Sequence, residues 1–169
     1  MSNPLYTTKS LFFNKANQFF VTILPVKGSL PVDDYKINAA LVNLEVPDVA
    51  NENFEEYIAG KFYTAYGRNS IYQITMTFKD IYPSVLYKYF NDYLVANRKQ
   101  YTDSCKWTIK VDTTYPGGER TKILNVKDAL LIGVSGLTFD HSVDQILEFS
   151  CTWKFTLFNE EGALRTVSG

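Results

Sequence analysis

The sequence predicts a mainly β protein: an antiparallel β-sandwich or barrel of six or seven strands, with one flanking α-helix over about 82–98 and an extended hairpin. Three observations predict it. The stretch Gln145 to Asn159 alternates strictly, with Leu147, Phe149, Cys151, Trp153, Phe155 and Leu157 on one face and Glu148, Ser150, Thr152, Lys154 and Thr156 on the other. Phe and Tyr stand at 12 each with 2 Trp, an aromatic share of 15% that favours strands. Similar alternating segments recur between turn signals, and only one stretch has helical spacing.

Taken in order, residues 1–16 carry Leu11, Phe12 and Phe13 among polar neighbours and read as an arm that docks elsewhere. A first strand follows, with Phe19, Val21 and Ile23 on one face; Pro25, Gly28, Pro31, Asp33 and Asp34 then mark a loop. Residues 39–46 predict a strand with Ala40, Val42, Leu44 and Val46 on one face against Leu41, Asn43 and Glu45, ended by Pro47. Residues 57–66 are β-like but apolar on both faces: Ile58, Phe62 and Tyr66 one way, Tyr57, Tyr63 and Ala65 the other. Gly67, Arg68 and Asn69 give a turn, and Tyr72, Ile74, Met76 and Phe78 alternate with Gln73, Thr75 and Thr77 in the next strand.

The helix comes next. Asp80 is a candidate N-cap and Pro83 suits a first turn, where a missing N–H costs nothing. Tyr82, Leu86, Tyr89, Phe90, Tyr93 and Asn97 share a face at helical spacing, and Arg98 and Lys99 sit at the end that favours cations. After it come a strand with Trp107, Ile109 and Val111 inward, a turn at Pro116, Gly117 and Gly118, and a long strand over 121–134. Gly136 and the run Asp140 to Asp144 turn the chain into the closing strand, and residues 160–169 form a tail.

At 169 residues with a net charge of −1, the chain reads as one domain, 1–169, and not as a globally basic nucleic-acid binder. No apolar run reaches membrane-spanning length, and the N-terminus lacks the pattern of a secretory signal. No enzyme is predicted. His141, the only histidine, reads as an exposed turn residue. Cys105 and Cys151 form no disulfide framework, and Cys151 reads as a small buried hydrophobe. One His and two Cys, widely scattered, make no zinc site. The carboxylate groups Glu52, Glu55, Glu56 and Asp140, Asp144 read as solvated loops, and no phosphate-cradling glycine loop is present. No cofactor, metal or catalytic residue is implied.

The two-faced stretch 57–66 is the one that an ordinary surface hairpin does not explain. Either it is a central strand covered within the monomer, or it projects and a second body covers it, most simply another copy of the protein. Tyr57, Phe62, Tyr63 and Tyr66 are therefore candidate contact residues, with Leu11, Phe12 and Phe13 of the arm beside them.

The order of elements resembles the tail tube proteins of contractile-tailed bacteriophages, related in fold to the ring protein of type VI secretion tubes. The resemblance lies in the arm and the strand opened by Asn17-Gln18-Phe19, the strand running into Pro47, and the hairpin Tyr57 to Arg68. It continues in the strand leading directly into the one helix, the long strand from Thr121 to Gly136, and the polar turn from Asp140 before the alternating closing strand. The Tyr115–Gly118 hairpin and the tail 160–169 depart from the pattern. The resemblance implies a structural virion protein: homohexameric rings stacked into a hollow tube inside a contractile sheath. DNA would pass through the lumen without specific binding. The partners implied are other copies, the tail sheath protein, and baseplate and tail terminator proteins, in the virion and, during assembly, in the host cytoplasm. A tube initiator or tail-completion protein of the same fold, or a type VI-like injection tube, is the close alternative. A monomeric ligand-binding β-barrel with an interior cavity is the alternative from another class.

Overall fold

The computed structural model describes residues 18–47, 53–58, 60–66, 71–97, 103–114, 119–142 and 144–156. Among these, eight strands and two α-helices are found: β1 (Phe19–Pro25), α1 (Asp34–Ala40), β2 (Leu41–Glu45), β3 (Asn53–Ile58), β4 (Lys61–Tyr66), β5 (Ile71–Lys79), α2 (Val85–Asn97), β6 (Lys106–Thr114), β7 (Arg120–Val134) and β8 (Glu148–Thr156). Six strands form one antiparallel sheet in the order β1-β6-β7-β8-β5-β2, and β3 and β4 form a separate two-stranded sheet. The six strands of the large sheet and the separate hairpin agree with the six or seven strands and the extended hairpin expected from the sequence.

The large sheet folds over on itself along β7. The first part of β7, Arg120 to Leu130, pairs with β6, and its last part, Leu130 to Val134, pairs with β8. Between them the β6 register shifts opposite Val126 and Ala129, where Asp128 takes a left-handed φ of 63°. Bulges of this kind bend a strand and increase its twist. The two ends of the sheet, β1 and β2, do not pair with each other among the described residues. The architecture is thus an open sandwich of two leaves, β1-β6-β7 and β7-β8-β5-β2, and not a closed barrel.

The alternation read from the sequence builds the core between the leaves. Val21, Ile23, Ile109, Val111, Leu124 and Val126 come from one leaf, and Ile74, Met76, Phe78, Cys151, Trp153 and Phe155 from the other; all are buried in one cluster. The helix α2 inserts Leu86 and Phe90 between them, both fully buried. Phe90 meets Phe78, Trp107, Phe149 and Trp153 at ring-centroid distances of 5.8, 5.8, 6.2 and 5.9 Å. Offset and edge-on aromatic contacts of this type add to the free energy of burial.

Four sequence expectations need correction. Helix α2 begins at Val85, after Ser84, whose positive φ of 61° breaks the helical backbone. Pro83 therefore lies in the preceding turn and Tyr82 is 93% exposed, off the packed face. Asp80 still serves the helix end, accepting a 3.2 Å hydrogen bond from the Tyr87 N–H.

Residues 34–40, read as a loop running into a strand, form helix α1. Asp33 caps it, accepting from the Lys36 N–H at 2.9 Å, and Ile37 and Ala40 are its buried residues. In β2 a register shift between Leu41 and Asn43 changes the inward face: Leu41 and Leu44 pack on the core, while Val42 and Val46 are exposed. The hairpin turns at Gly60, with φ 80°, so residues 57–66 are not one continuous strand. The turn regions at 67–69 and 115–118, Arg98, Leu157 and the tail lie outside the described residues.

Candidate functional site

The features that bear on function are the edges of the large sheet, the separate hairpin and the polar face of the β8 leaf. An open sheet exposes a row of unpaired N–H and C=O groups at each edge, and a protein must cover or use them.

At β1 the edge is covered at its middle, at Val21. Hydrogen bonds from Thr114 N–H to Gln18 O and from Val26 N–H to Lys106 O turn the even-numbered main-chain groups of β1 toward β6. The Val21 N–H and C=O therefore point away from β6, while its side chain lies in the core. There the Asn38 side chain of α1 substitutes for a neighbouring strand: its Oδ1 accepts from the Val21 N–H and its Nδ2 donates to the Val21 carbonyl, both at 2.7 Å. Nδ2 also donates to Asp34 O at 2.7 Å, which fixes the amide on its own helix. One residue earlier, the Phe20 ring lies between Tyr35, 5.8 Å away edge-on, and the Arg120 guanidinium, 3.7 Å from its centroid. Pro25, at the end of the edge, has no N–H to offer. Sequence reading missed this device because it missed α1; the signal was the Asp33 cap followed by Ile37 and Ala40 on one side.

At β2 the other edge carries no strand among the described residues. Val42 and Val46 stand exposed there, at 45% and 42%. A second open stretch lies on β7. Beyond Leu130 its residues pair with β8 on one side, and among the described residues β6 supplies no partner on the other. Ile132, in that stretch, is 40% exposed.

Of the residues expected to carry assembly contacts, Tyr57 lies in β3 and Phe62, Tyr63 and Tyr66 lie in β4. The register sets Tyr57 opposite Phe62, Glu56 opposite Tyr63 and Asn53 opposite Tyr66. The fold thus brings the four onto one two-stranded ribbon that, among the described residues, pairs with no strand of the large sheet. Leu11, Phe12 and Phe13 lie outside the described residues, as does Glu52.

The face of β5 and β8 turned away from the core is polar across its middle, with Ile71 exposed at its end. Thr77 and Ser150 share a hydrogen bond of 2.8 Å, and Thr75 and Thr152 face each other at 3.4 Å. Ser135 Oγ accepts from the Ser150 N–H at 2.7 Å. The hydroxyls are satisfied by one another, and the charged residues Lys79, Glu148 and Lys154 lie toward the strand ends.

No arrangement of catalytic groups comes together among the described residues. His141 is exposed in a turn. Asp140 is held below the usual carboxylate range by hydrogen bonds from the Ser142 hydroxyl and N–H, which is local turn chemistry. Burial pushes the Cys151 thiol far above its ordinary range, the opposite of an activated nucleophile. No group of three or more His, Cys, Asp or Glu could hold a metal among the described residues. An open hollow of about 860 Å³ lies against the loop before β8, where Phe139, His141, Asp144 and Ile146 face solvent. The buried side chains of the core cluster lie between the leaves. No helix of the described residues is long and apolar enough to cross a membrane.

No protein-family model matches the chain. No curated protein matches it in sequence. Solved structures do match it in fold. A chain of the PVC sheath/tube terminator of an extracellular contractile injection system, in the extended state, superposes with a TM-score of 0.64 at 17% identity, over 86% of this chain and 94% of that one. A chain of the PVC sheath–tube complex in the extended state gives 0.62 at 17% identity, over 90% and 94%. A chain of the anti-feeding prophage tube-terminating cap gives 0.61 at 16% identity, over 85% and 87%. At these identities the similarity establishes a shared fold.

Proposed function

We propose that this protein is a structural component of a contractile tail or contractile injection machine, and that it forms rings that stack into the inner tube. The carrying observation is the fold, shared over most of both chains with components of contractile injection assemblies, one of them a sheath–tube complex. Physical features agree with a self-assembling part. The large sheet is open among the described residues, and Tyr57, Phe62, Tyr63 and Tyr66 lie on a separate two-stranded ribbon. A head-to-tail contact between copies closes into a ring when its rotation divides the circle, and ring closure satisfies strand edges that are a liability in a monomer. Sheath, baseplate and terminator proteins are the partners such a tube requires, and the genome or another cargo passes through it.

A terminator or cap ring is the second reading, favoured by the matches to a sheath/tube terminator and a tube-terminating cap. Negative-stain electron microscopy of the purified protein, alone and with its baseplate, tests both. Hollow tubes of many stacked rings support the tube subunit. Single rings that do not stack support the terminator, and a monomer under all conditions overturns both.

A further inference from the structure

We infer that the segment Lys9 to Lys15 of one copy docks in the hollow beside the loop before β8 on the next copy along the stack. This rests on the ring-stacking reading above and names one of its contacts. The two surfaces match in chemistry. The hollow exposes two large apolar side chains, Phe139 at 75% and Ile146 at 64%. Asp140, Asp144 and Glu148 line it as well, with Lys79 against them. An exposed apolar patch with a polar rim marks a contact surface, and here the rim is acidic. The segment before β1 holds the complement. Leu11, Phe12 and Phe13 follow one another, Lys9 and Lys15 stand on either side, and residues 1–17 contain no Asp or Glu. Buried aromatic anchors supply the affinity of such a contact, and charges of opposite sign fix its register.

Reach decides whose hollow is filled. The chain enters β1 at Gln18, whose carbonyl accepts from the Thr114 N–H at 3.0 Å. Thr114 pairs with Arg120, the first residue of β7. The hollow lies past the other end of that strand, beyond Val134, along Thr138 to Glu148. The 15 residues of β7 would span about 45 Å if straight, and a right-angle bend at Leu130 still leaves the ends about 35 Å apart. Leu11 precedes Gln18 by seven residues, which fully extended cover at most about 25 Å. The apolar cluster therefore falls short of the hollow in its own subunit. Stacking head to tail sets the hollow end of one copy against the Gln18 end of the next. A heterologous contact of this kind repeats from ring to ring without closing, which is what a tube of identical rings requires along its axis.

Disulfide trapping in assembled tubes tests this. Cys105 and Cys151 are buried, so introduced cysteines react alone. Phe13→Cys combined with Ile146→Cys is oxidised after assembly, with Phe12→Cys and Phe139→Cys as the second pair should the first not assemble. Each single variant is the control. The expected result on a non-reducing gel is a ladder that runs past the copy number of one ring, seen in the double variant alone and lost on adding reductant. A ladder that stops at the ring's copy number puts the contact within a ring and overturns the assignment. A cross-linked monomer gives the segment to its own subunit and overturns it as well. Tubes that form without any cross-link overturn this inference and leave the tube reading intact. A helical cryo-EM reconstruction of tubes of the unaltered chain reads the same contact without substitution. Residues 9–15 of a stacked copy in the hollow support it, and an empty hollow, or one filled by another segment, overturns it. Failure of the unaltered chain to form any ring or tube overturns the parent reading and this inference with it.

Discussion

The Tyr93 ring of α2 meets the Trp107 indole of β6 edge-on, with centroids 4.7 Å apart and planes at 64°. The contact pins the C-terminal half of the helix to the β1-β6-β7 leaf, and Tyr89 approaches the same indole at 6.5 Å. Burial pushes the Tyr93 hydroxyl up to about 12, with the neighbouring Cys105 and Tyr89 adding to the shift and Trp107 opposing it. Folding therefore favours the neutral phenol. The stability it confers is fully present below the ordinary tyrosine value of about 10 and is lost as pH rises toward 12. Denaturant midpoints measured from pH 8 upward should fall across that window. Tyr93→Phe should flatten the fall. Equal alkaline slopes for the two proteins would show that another group controls the transition.

A second prediction concerns the strand edge. Asn38→Ala removes both partners of the outward Val21 main chain and the bond to Asp34 O. Leaving half-buried backbone groups unpaired costs about 1–3 kcal/mol, read as a lower urea midpoint. The change should also promote self-association, because it reopens an edge able to pair with another chain. Asn38→Asp keeps the acceptor for Val21 N–H but sets a carboxylate oxygen against the carbonyls of Val21 and Asp34, so it should be no more stable than Asn38→Ala. Light scattering and urea titration of the three proteins check this. Unchanged values for Asn38→Ala would mean that α1 covers β1 by packing alone.

How much of this was legible follows from how far each feature repeats in the chain. The inward faces of β1, β5, β6 and β8 could be read from the alternation, because burial of every second residue leaves a signal that accumulates along the strand. Trp107, Ile109 and Val111 or Phe149, Cys151 and Trp153 declare themselves in this way. Helix α1 did not, because seven residues give at most two turns of periodicity and the cap at Asp33 looks like any Asp in a loop. The inward face of β2 was misread because one bulge shifts the pattern, and nothing in LVNLE marks the bulge. The hairpin could be recognised from its two-sided apolar composition, but its turn was misplaced, since Gly60 sits between residues that alternate as though uninterrupted. Edge coverage was invisible. It depends on Asn38 reaching a residue 17 positions away, a relationship created by the fold.

The hairpin gives the most direct test of the assembly reading. Because β3 and β4 pair with each other and, among the described residues, with no strand of the large sheet, altering them should leave the core's stability unchanged. Large aromatic residues dominate the energetics of protein contacts, and each truncation of a true anchor costs on the order of 2 kcal/mol or more. In a stacked assembly that loss recurs at every equivalent contact. Phe62→Ser combined with Tyr63→Ser should therefore abolish tubes while leaving a folded subunit. The first is read by electron microscopy and the second by a circular dichroism spectrum and melting curve matching the unaltered protein. Two other outcomes are informative. Normal tubes from the double variant would remove the ribbon from the set of assembly contacts and leave the sheet edges to carry the ring. A lowered melting temperature would instead mean that the ribbon stabilises the subunit that bears it.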